Sequence, residues 1–329
     1  MRLLSSLLAI GLAIAQPLLA QDLLRRDKDP IPAEVEAIYT KGLTYLAGTQ
    51  SDDGSWPEGV GSEPGVVGLA VMAFLAHGED ANHGPYSKNI KAGIDFIIKE
   101  QKKKNGYIGN SMYSHGFATL ALAESYGMHQ DERIAKALRK AVDLILSSQK
   151  RNPKGGWRYS PEDTSSDTSV AGCQIVALYA ARNAGIPVPD TALDRANKYM
   201  RKCRGNDGGY GYQSSLGDRA TLTAIGLLCE SLAKQHKSKG YLASAKYLSK
   251  KLNHRESHYA YYFEYYMAQA LFHSDEKVWQ EWNAKNTRYL SALQAPNGAF
   301  PGSRGGAFNT AGALLSLALN YRLLPIYEK

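Results

Sequence analysis

Cysteine is scarce in this chain. Only three cysteines occur among 329 residues, at Cys173, Cys203 and Cys229. An odd and widely spaced set does not form the framework of paired cysteines that staples small secreted domains. Two of the three lie within apolar helical patterns, where a buried thiol behaves as a small hydrophobic group. We therefore predict unpaired structural cysteines.

Long apolar runs are also missing, except at the N-terminus. Arg2 precedes an apolar stretch over residues 3–14, and Ala13, Ala15 and Ala20 offer positions for cleavage. A positive residue, a short apolar region and small residues are typical of a secretory signal peptide. The stretch is too short for a stable transmembrane span. We predict a signal peptide over residues 1–20 and a secreted or periplasmic protein without a transmembrane segment.

The rest of the chain is expected to form one domain. Residues 21–34 are charged, carry Pro30 and Pro32, and are typical of a linker, which leaves residues 35–329 for the domain. The formal net charge is +8. Excess positive charge favours anionic glycans or membrane surfaces as partners. The charges are dispersed, however, and this is typical of a solvated surface. We expect no nucleic-acid partner and a monomer.

A short pattern recurs six times, about 50 residues apart, as in arrays of identical structural units. In the first copy, over residues 41–56, an aromatic residue precedes a polar anchor, and a glycine and a second aromatic residue follow it. The fifth copy lacks the glycine and the second aromatic residue. The six anchor positions are Gln50, Gln101, Gln149, Arg204, Leu252 and Gln294.

Each copy contains two helical stretches of different character. The stretch before the anchor is amphipathic, as over residues 134–148, so one of its faces contacts water. The stretch after the turn is apolar almost all round, as over residues 66–76 and 170–181, which is typical of a buried helix. We predict an all-α protein, an α/α toroid of about six helical hairpins, with inner and outer rings totalling about twelve helices.

The pattern Lys-Gly-x-x-Tyr-Leu-x-x-x-Gln-x-x-x-Gly-x-Trp over residues 41–56 resembles the QW repeat of squalene/hopene cyclases. More broadly, residues 35–325 resemble the terpenoid cyclase/protein prenyltransferase superfamily. The resemblance implies the toroid fold, and it implies that the Gln and Trp residues clamp the turn between helices. The turns at Arg204 and Leu252 are therefore expected to be looser. A shared fold does not by itself imply a shared function.

The catalytic residues that the resemblance implies are missing from this sequence. In type II cyclases the catalytic acid is the central Asp of Asp-x-Asp-Asp. In the matching segment, residues 164–169, Ser166 occupies that position, and a serine hydroxyl is too weak an acid to protonate an alkene. Asp163 and Glu162 lie nearby but out of register. No Asp-x-Cys element provides the zinc site of prenyltransferases, and His254 and His258 have no cysteine nearby. We expect no metal and no cofactor.

A thioester of the complement type is excluded as well. Gly172-Cys173-Gln174 resembles the start of the thioester motif, but Val176 stands where the reactive glutamine must be.

A functional site on this scaffold should lie where the inner helices begin, because helix N-termini present free N–H groups around the central cavity. Asp167, Asp218 and Asn309 are predicted N-caps. His115 suits acid–base chemistry but is more often a hydrogen-bonded structural residue. Arg219 needs an anion or an acidic partner. The candidate ligand-binding residues are His115, Asp167, Arg219, Tyr259, Tyr262, Tyr266 and Asn309.

The fifth copy is rich in tyrosine. Helical spacing places Tyr259, Tyr262 and Tyr266 on one face and Tyr261 and Tyr265 on another. Such rings could line a cavity, stabilise a carbocation, stack on a sugar, or fill the gap left by a degenerate repeat. If Tyr262 and Tyr266 fill the cavity, we expect neither a bound ligand nor an enzyme reaction. Glu264 lies among them and is hard to explain as a cap.

We therefore predict a secreted toroid that binds an isoprenoid-like ligand, a glycan-like ligand or a protein partner, without the cyclase acid or the prenyltransferase zinc site. The alternatives are an active isoprenoid cyclase or transferase with a displaced acid, a polysaccharide lyase, and an extracellular scaffold. Lyases and glycosidases of this fold need paired carboxylates, and no spacing selects one pair. The candidate catalytic residues are Asp167, Asp163, Glu264 and His115.

Overall fold

The computed structural model describes residues 30–328. The predicted signal peptide and most of the predicted linker lie outside the described residues. Within them, no helix is both long enough and apolar enough to cross a membrane. Two short 3-10 helices, Ala318–Asn320 and Pro325–Tyr327, follow the last α-helix. The α-helices are α1 (Ala33–Thr49), α2 (Pro64–His77), α3 (Ser87–Glu100), α4 (Met112–Met128), α5 (Glu132–Arg151), α6 (Thr168–Asn183), α7 (Asp190–Lys202), α8 (Ala220–Leu232), α9 (Lys239–Ser249), α10 (Ala260–Ser274), α11 (Glu276–Leu293) and α12 (Gly306–Leu317).

The even-numbered helices form a closed inner ring. Each of α2, α4, α6, α8, α10 and α12 packs against the next, and α12 packs against α2. In α2, every residue from Pro64 to Ala76 is buried. A helix that is apolar on all sides has to lie inside the protein, because any exposed face would leave apolar surface in water.

The odd-numbered helices form the outer layer. Helix α3 packs on α2, α5 on α4, α11 on α10, and α1 on α12. Helix α5 buries Ile134, Leu138 and Ile145 on one face, while Lys136 and Arg139 are exposed on the other. The amphipathic stretches therefore lie outside and the apolar ones inside. The prediction of an α/α toroid with twelve helices is confirmed.

The glutamine anchors join neighbouring hairpins. Nε2 of Gln50 donates to the carbonyl of Gly54 at 2.9 Å and to that of Asn89, in the next outer helix, at 3.1 Å. The indole of Trp56 donates to the carbonyl of Leu46 at 2.9 Å, at the end of α1. Gln101, Gln149 and Gln294 make the same pair of bonds in their own turns.

The turn at Arg204, which was expected to be looser, is held by other contacts. Nη1 of Arg204 donates to Oε1 of Glu230 at 2.5 Å, and the hydroxyl of Ser244 donates to the carbonyl of Gly208 at 2.8 Å. An ion pair and an outer-helix serine thus replace the glutamine.

All three cysteines are buried and unpaired, as predicted.

The C-terminal segment lies across the end of the ring where the inner helices finish. Ile326 and Tyr327 are buried, and the 3-10 helix that holds them packs on α4 and α6. The backbone N–H of Ile326 donates to Oε2 of Glu124 in α4 at 3.2 Å. This end of the ring is therefore covered by the protein's own chain.

Candidate functional site

The six inner helices begin at one end of the ring, which we call the N-terminal face. Its loops are bonded to one another in sequence around the ring. The N–H of Met112 donates to the carbonyl of Tyr159 at 2.8 Å, and the N–H of Thr168 donates to that of Tyr212, also at 2.8 Å. Since the starts of α4 and α6 are each tied to the following loop, the side chains of these loops are held in defined positions.

Four tyrosines meet at this face. The hydroxyls of Tyr159 and Tyr212 lie 2.5 Å apart. The ring of Tyr113 lies 6.1 Å from that of Tyr159 and 6.3 Å from that of Tyr262, measured between centroids. With Ser169 and Asp167 they make up the tyrosine–Asp167 cluster, which leads from the rim of the ring towards its centre.

Asp167 caps α6 and anchors the polar side of this cluster. Its Oδ1 accepts from the N–H of Val170 at 2.9 Å and from the hydroxyl of Ser169 at 2.8 Å, which confirms the predicted cap. The hydroxyl of Tyr113 donates to Ser169 at 2.6 Å. Oδ2 is buried and has no hydrogen-bond partner among the described residues. Burial raises the pKa of Asp167, and the bond from Val170 opposes that rise.

The centre of the ring is filled with aromatic side chains. The ring of Tyr266 lies 4.9 Å from that of Tyr262 and 4.9 Å from that of Tyr265, and Tyr266 is 1% exposed. Tyr262 also packs against Phe117 of α4 at 6.2 Å. Burial raises the pKa of Tyr262 and Tyr266 well above the ordinary tyrosine value. Tyr262 and Tyr266 therefore occupy the cavity that they were expected to line.

A sequence profile of the family described as a domain of unknown function, DUF6288, matches residues 35–301. The chain belongs to this DUF6288 family. A comparison with curated proteins gives no match. The predicted relation to squalene/hopene cyclases is not confirmed by this family match and stays a prediction.

Solved structures with other activities share the fold of this DUF6288 protein. The type II terpene cyclase MstE from Scytonema, bound to its product merosterolic acid A, has a TM-score of 0.61 at 14% identity, and the match covers 88% of this chain and 98% of that one. The GH76A α-1,6-mannanase from Salegentibacter sp. HEL1_6 has a TM-score of 0.64 at 10% identity, and the match covers 86% of this chain and 98% of that one.

An inactive variant of this mannanase, in complex with α-1,6-mannotetrose, has a TM-score of 0.65 at 9% identity, with coverage of 86% of this chain and 98% of that one. Identities this low show a common fold and do not transfer an activity.

His115 is held by structural bonds in this DUF6288 protein. Its Nδ1 accepts from the N–H of Ile108 at 3.1 Å, and Nε2 donates to the carbonyl of Ala141 at 3.1 Å. Burial lowers the pKa of His115 to about 4, so the imidazole is neutral at physiological pH. Both nitrogens are occupied, which favours a structural role over proton transfer.

Two predicted caps are wrong. Helix α8 begins after Arg219, whose backbone pairs with Tyr210, so Asp218 lies outside the cap position and instead accepts from the hydroxyl of Tyr247 at 2.5 Å. Helix α12 begins after Gly305, one turn earlier than predicted, so Asn309 lies inside the helix.

Arg219 is exposed, and its side chain has no hydrogen bond or ion pair with any described residue.

The other candidate acids are engaged elsewhere. Glu264 is buried 4.0 Å from Nε of Arg255, and neither of its oxygens has a hydrogen-bond partner among the described residues. Burial raises the pKa of Glu264 to about 8, and Arg255 partly opposes this. Asp163 accepts from the N–H of Ser160 at 2.8 Å, within its own loop. None of these contacts joins Glu264, Asp163 or His115 to Asp167.

Ser166 lies in the turn that precedes α6. Its hydroxyl donates to Oδ1 of Asn152 at 3.3 Å, and its side chain packs beside Gly156. In the part of the chain that the structure describes, no group of three or more His, Cys, Asp or Glu side chains is placed to hold a metal ion.

The tyrosines of the fifth copy share the predicted faces only in part, because Tyr262 and Tyr266 pack together whereas Tyr259 lies outside the helix. Tyr259 precedes α10 with a φ of 58° and is exposed, because the helix begins only after it. Tyr261 packs on Phe300 and donates to the carbonyl of Pro301 at 3.0 Å. Tyr265 packs on Tyr266 in the centre.

Sequence reasoning missed Tyr113, Tyr159 and Tyr212. A signal for two of them was present, because Tyr159 and Tyr212 each lie two residues after the aromatic residue of their turns, Trp157 and Tyr210.

Proposed function

We propose that this protein is a secreted toroid that binds a glycan at its N-terminal face, over the tyrosine–Asp167 cluster. The observation that carries the proposal is the path of tyrosines from Tyr159, which is 47% exposed, to the partly buried Tyr262. Tyrosine rings stack on the apolar faces of sugars, and their hydroxyls exchange hydrogen bonds with sugar hydroxyls.

An isoprenoid ligand is less compatible with this geometry. A folded polyene needs a deep apolar cavity that encloses most of its surface. Tyr262, Tyr265 and Tyr266 occupy the centre of the ring and pack on Phe117. The filled centre counts against the ligand and the enzyme reaction that were predicted for the cavity, and the ligand proposed here lies at the mouth of the ring instead.

The positions of the acidic residues support binding of a glycan without its cleavage. Glycosidases use two carboxylates that flank the scissile bond. Asp167 has a free oxygen, but Glu162 and Asp163 form hydrogen bonds within their own loop to Ser160. The solved mannanase complex holds mannotetrose on the same fold. Secretion follows from the predicted signal peptide.

The test is calorimetric titration of the purified chain with soluble hexasaccharides, neutral and acidic. We expect at least one of them to bind. Tyr159→Ala should weaken that binding about tenfold, since the loss of one stacked ring costs about 1 kcal/mol or slightly more. The matched control is Leu242→Ala, which removes another exposed apolar side chain, 57% exposed, from the outer helix α9. It should leave the affinity unchanged.

Either of two results would refute the proposal: no hexasaccharide binds, or Tyr159→Ala binds glycan as tightly as Leu242→Ala does. Binding of a detergent-dispersed long-chain isoprenol, while every glycan fails to bind, would favour the isoprenoid alternative. Release of a shortened or unsaturated sugar product would show that the protein is an enzyme and does not only bind the glycan.

A further inference from the structure

Two tyrosines stand out on the surface because they are exposed. Tyr159 is 47% exposed and Tyr259 is 52% exposed, and they are the two aromatic members of the exposed large hydrophobic residues in the described part of the chain. Tyr159 lies in the loop before α6, and Tyr259 immediately precedes α10. Both therefore belong to the N-terminal face, where exposed aromatic surface is typical of a binding site.

An arginine lies over each exposed tyrosine. The guanidinium carbon of Arg158 lies 5.4 Å from the ring centroid of Tyr159, and that of Arg304 lies 4.6 Å from the centroid of Tyr259. Nη2 of Arg304 also donates to the hydroxyl of Tyr259. Stacking on an aromatic ring orients the planar guanidinium while its remaining N–H groups stay available for a bidentate partner.

Neither guanidinium forms an ion pair with any described residue. Nη1 of Arg158 donates to the Ser165 hydroxyl at 3.3 Å, and Arg304 bonds only to Tyr259 through its side chain. Several other arginines are paired with carboxylates, as Arg133 is with Asp95 and Asp131, whereas Arg219 is also unpaired within the described part of the chain. Neither of the two arginines at the face therefore has a carboxylate within ion-pair distance among the described residues.

Three carboxylates of the same face already accept hydrogen bonds from nearby groups. Glu162 and Asp163 accept hydrogen bonds from Ser160, and Oε1 of Glu63 accepts from the side chain of Asn110 at 2.9 Å. The cationic groups consequently remain open to an external anion, whereas the anionic groups are partly satisfied.

The two pairs lie on opposite sides of the mouth. In the order of the inner ring, α6 faces α12 and α4 faces α10. Arg158 and Tyr159 precede α6, whereas Arg304 precedes α12 and Tyr259 precedes α10. The contact between Tyr113 of α4 and Tyr262 of α10 connects the two sides. An extended ligand that crosses the mouth can thus reach both pairs.

We propose that Arg158–Tyr159 and Arg304–Tyr259 are two subsites for a carboxylate-bearing polysaccharide, a polyuronate. Each tyrosine stacks on a sugar ring, and the arginine beside it binds the carboxylate of that sugar with two parallel hydrogen bonds. The inference rests on the proposed glycan binding and adds the class of glycan. The positive net charge of +8 accelerates the encounter with such a polymer.

The experiment compares an oligogalacturonate with a neutral manno-oligosaccharide of equal length, by calorimetry on the full chain. The wild-type protein should bind the uronate at least about tenfold more tightly, and added salt should reduce this preference because it screens exposed charges. The double variant Arg158→Gln/Arg304→Gln should lose the preference for the uronate over the neutral sugar. Arg304→Lys should retain only part of the preference for the uronate, because lysine keeps the positive charge but lacks the two parallel N–H donors of a guanidinium.

The matched control is Lys136→Gln/Arg139→Gln on α5, which removes the same charge from an exposed outer helix. It should retain the preference. If the face double variant also retains it, or if the wild type binds both sugars equally, the subsites are refuted while glycan binding stands. If neither sugar binds the wild type, the proposed function itself fails. Thermal unfolding checks that the variants remain folded.

Discussion

Gly54 shows, at the scale of one residue, why the recurring pattern contains a glycine. Its φ is +90°, and a Cβ atom at this position would collide with the backbone carbonyl of Ala92 in α3. The turn therefore passes so close to the next outer helix that no side chain fits. The neighbouring Gly48 differs, because it lies in α1 with open space around it.

Gly54→Ala should therefore destabilise the fold by about 2 kcal/mol or more, from the left-handed backbone conformation and the collision together. Gly48→Ala should be neutral or stabilise by up to about 1 kcal/mol, because alanine is the better helix residue. Urea unfolding of both variants measures the difference. Equal midpoints for the two would show that the turn does not constrain residue 54.

Local chemistry also decided which polar residues were predictable. Asp167 was predicted as a cap and is one, because an acidic residue before an apolar helix accepts the first free N–H groups. Asp218 fits the same local rule but bonds to Tyr247 of an outer helix. A side chain from a distant segment competed for it, and no local rule includes that partner.

At the scale of elements, one glutamine contributes to the closure of the ring. Nε2 of Gln294, after α11, donates to the carbonyl of Ile38 in α1 at 2.9 Å and to that of Gly298 at 3.0 Å. These two bonds join the last turn to the first helix. Their loss leaves part-buried carbonyls without a donor.

Gln294→Ala should lower the free energy of unfolding by about 1–3 kcal/mol, since two hydrogen bonds are removed and their acceptors remain. Gln235→Ala is the control, because Gln235 lies at the surface and bonds only within its own loop. It should change stability by less than about 0.5 kcal/mol. Chemical denaturation followed by circular dichroism measures both. A loss at Gln294 no larger than at Gln235 would contradict the closing role.

The start of a helix was the element-level feature hardest to predict. The tyrosine spacing was read as a single helix from Tyr259 onwards, but α10 begins at Ala260 and Tyr259 adopts a left-handed conformation. One residue of difference moves Tyr259 from the helical face to the surface beside Arg304. Helix periodicity does not define such boundaries, because they depend on caps and on the preceding loop.

At the scale of the whole molecule, the C-terminal segment and a buried acid close one end of the ring. Glu124 is fully buried and accepts from the N–H of Ile326. Burial raises the pKa of Glu124 to about 8 from the ordinary value of 4.5, and the bond from Ile326 partly opposes this. The carboxyl group is therefore protonated in the folded protein at neutral pH and ionised in the unfolded chain.

The stability contributed by a group with a raised pKa is complete below its unfolded pKa and is lost as the pH rises towards its folded pKa. As the pH rises from 5 to 8, the free energy of unfolding of Glu124→Gln should therefore increase relative to that of the wild type by up to about 1.4 kcal/mol per pH unit. The control Glu34→Gln, at an exposed position, should show no such trend. Thermal unfolding over this range measures it, and parallel pH profiles for Glu124→Gln and wild type would contradict the assignment.

The sequence by itself determined the toroid. Its glycines, glutamines and aromatic residues recur at a regular spacing, and its apolar helices alternate with amphipathic ones, so the two layers follow from local periodicity and burial. It also predicted buried, unpaired cysteines and the cap at Asp167.

Only the tertiary structure decided which side chains meet at the N-terminal face. Tyr113, Tyr159 and Tyr262 come from segments far apart in the chain, and closure of the ring brings them together. The same closure fills the centre with Tyr266 and leaves Arg158 and Arg304 without acidic partners. Contacts across a ring depend on its diameter and on the path of each loop, and neither quantity is encoded in the spacing of residues along one helix.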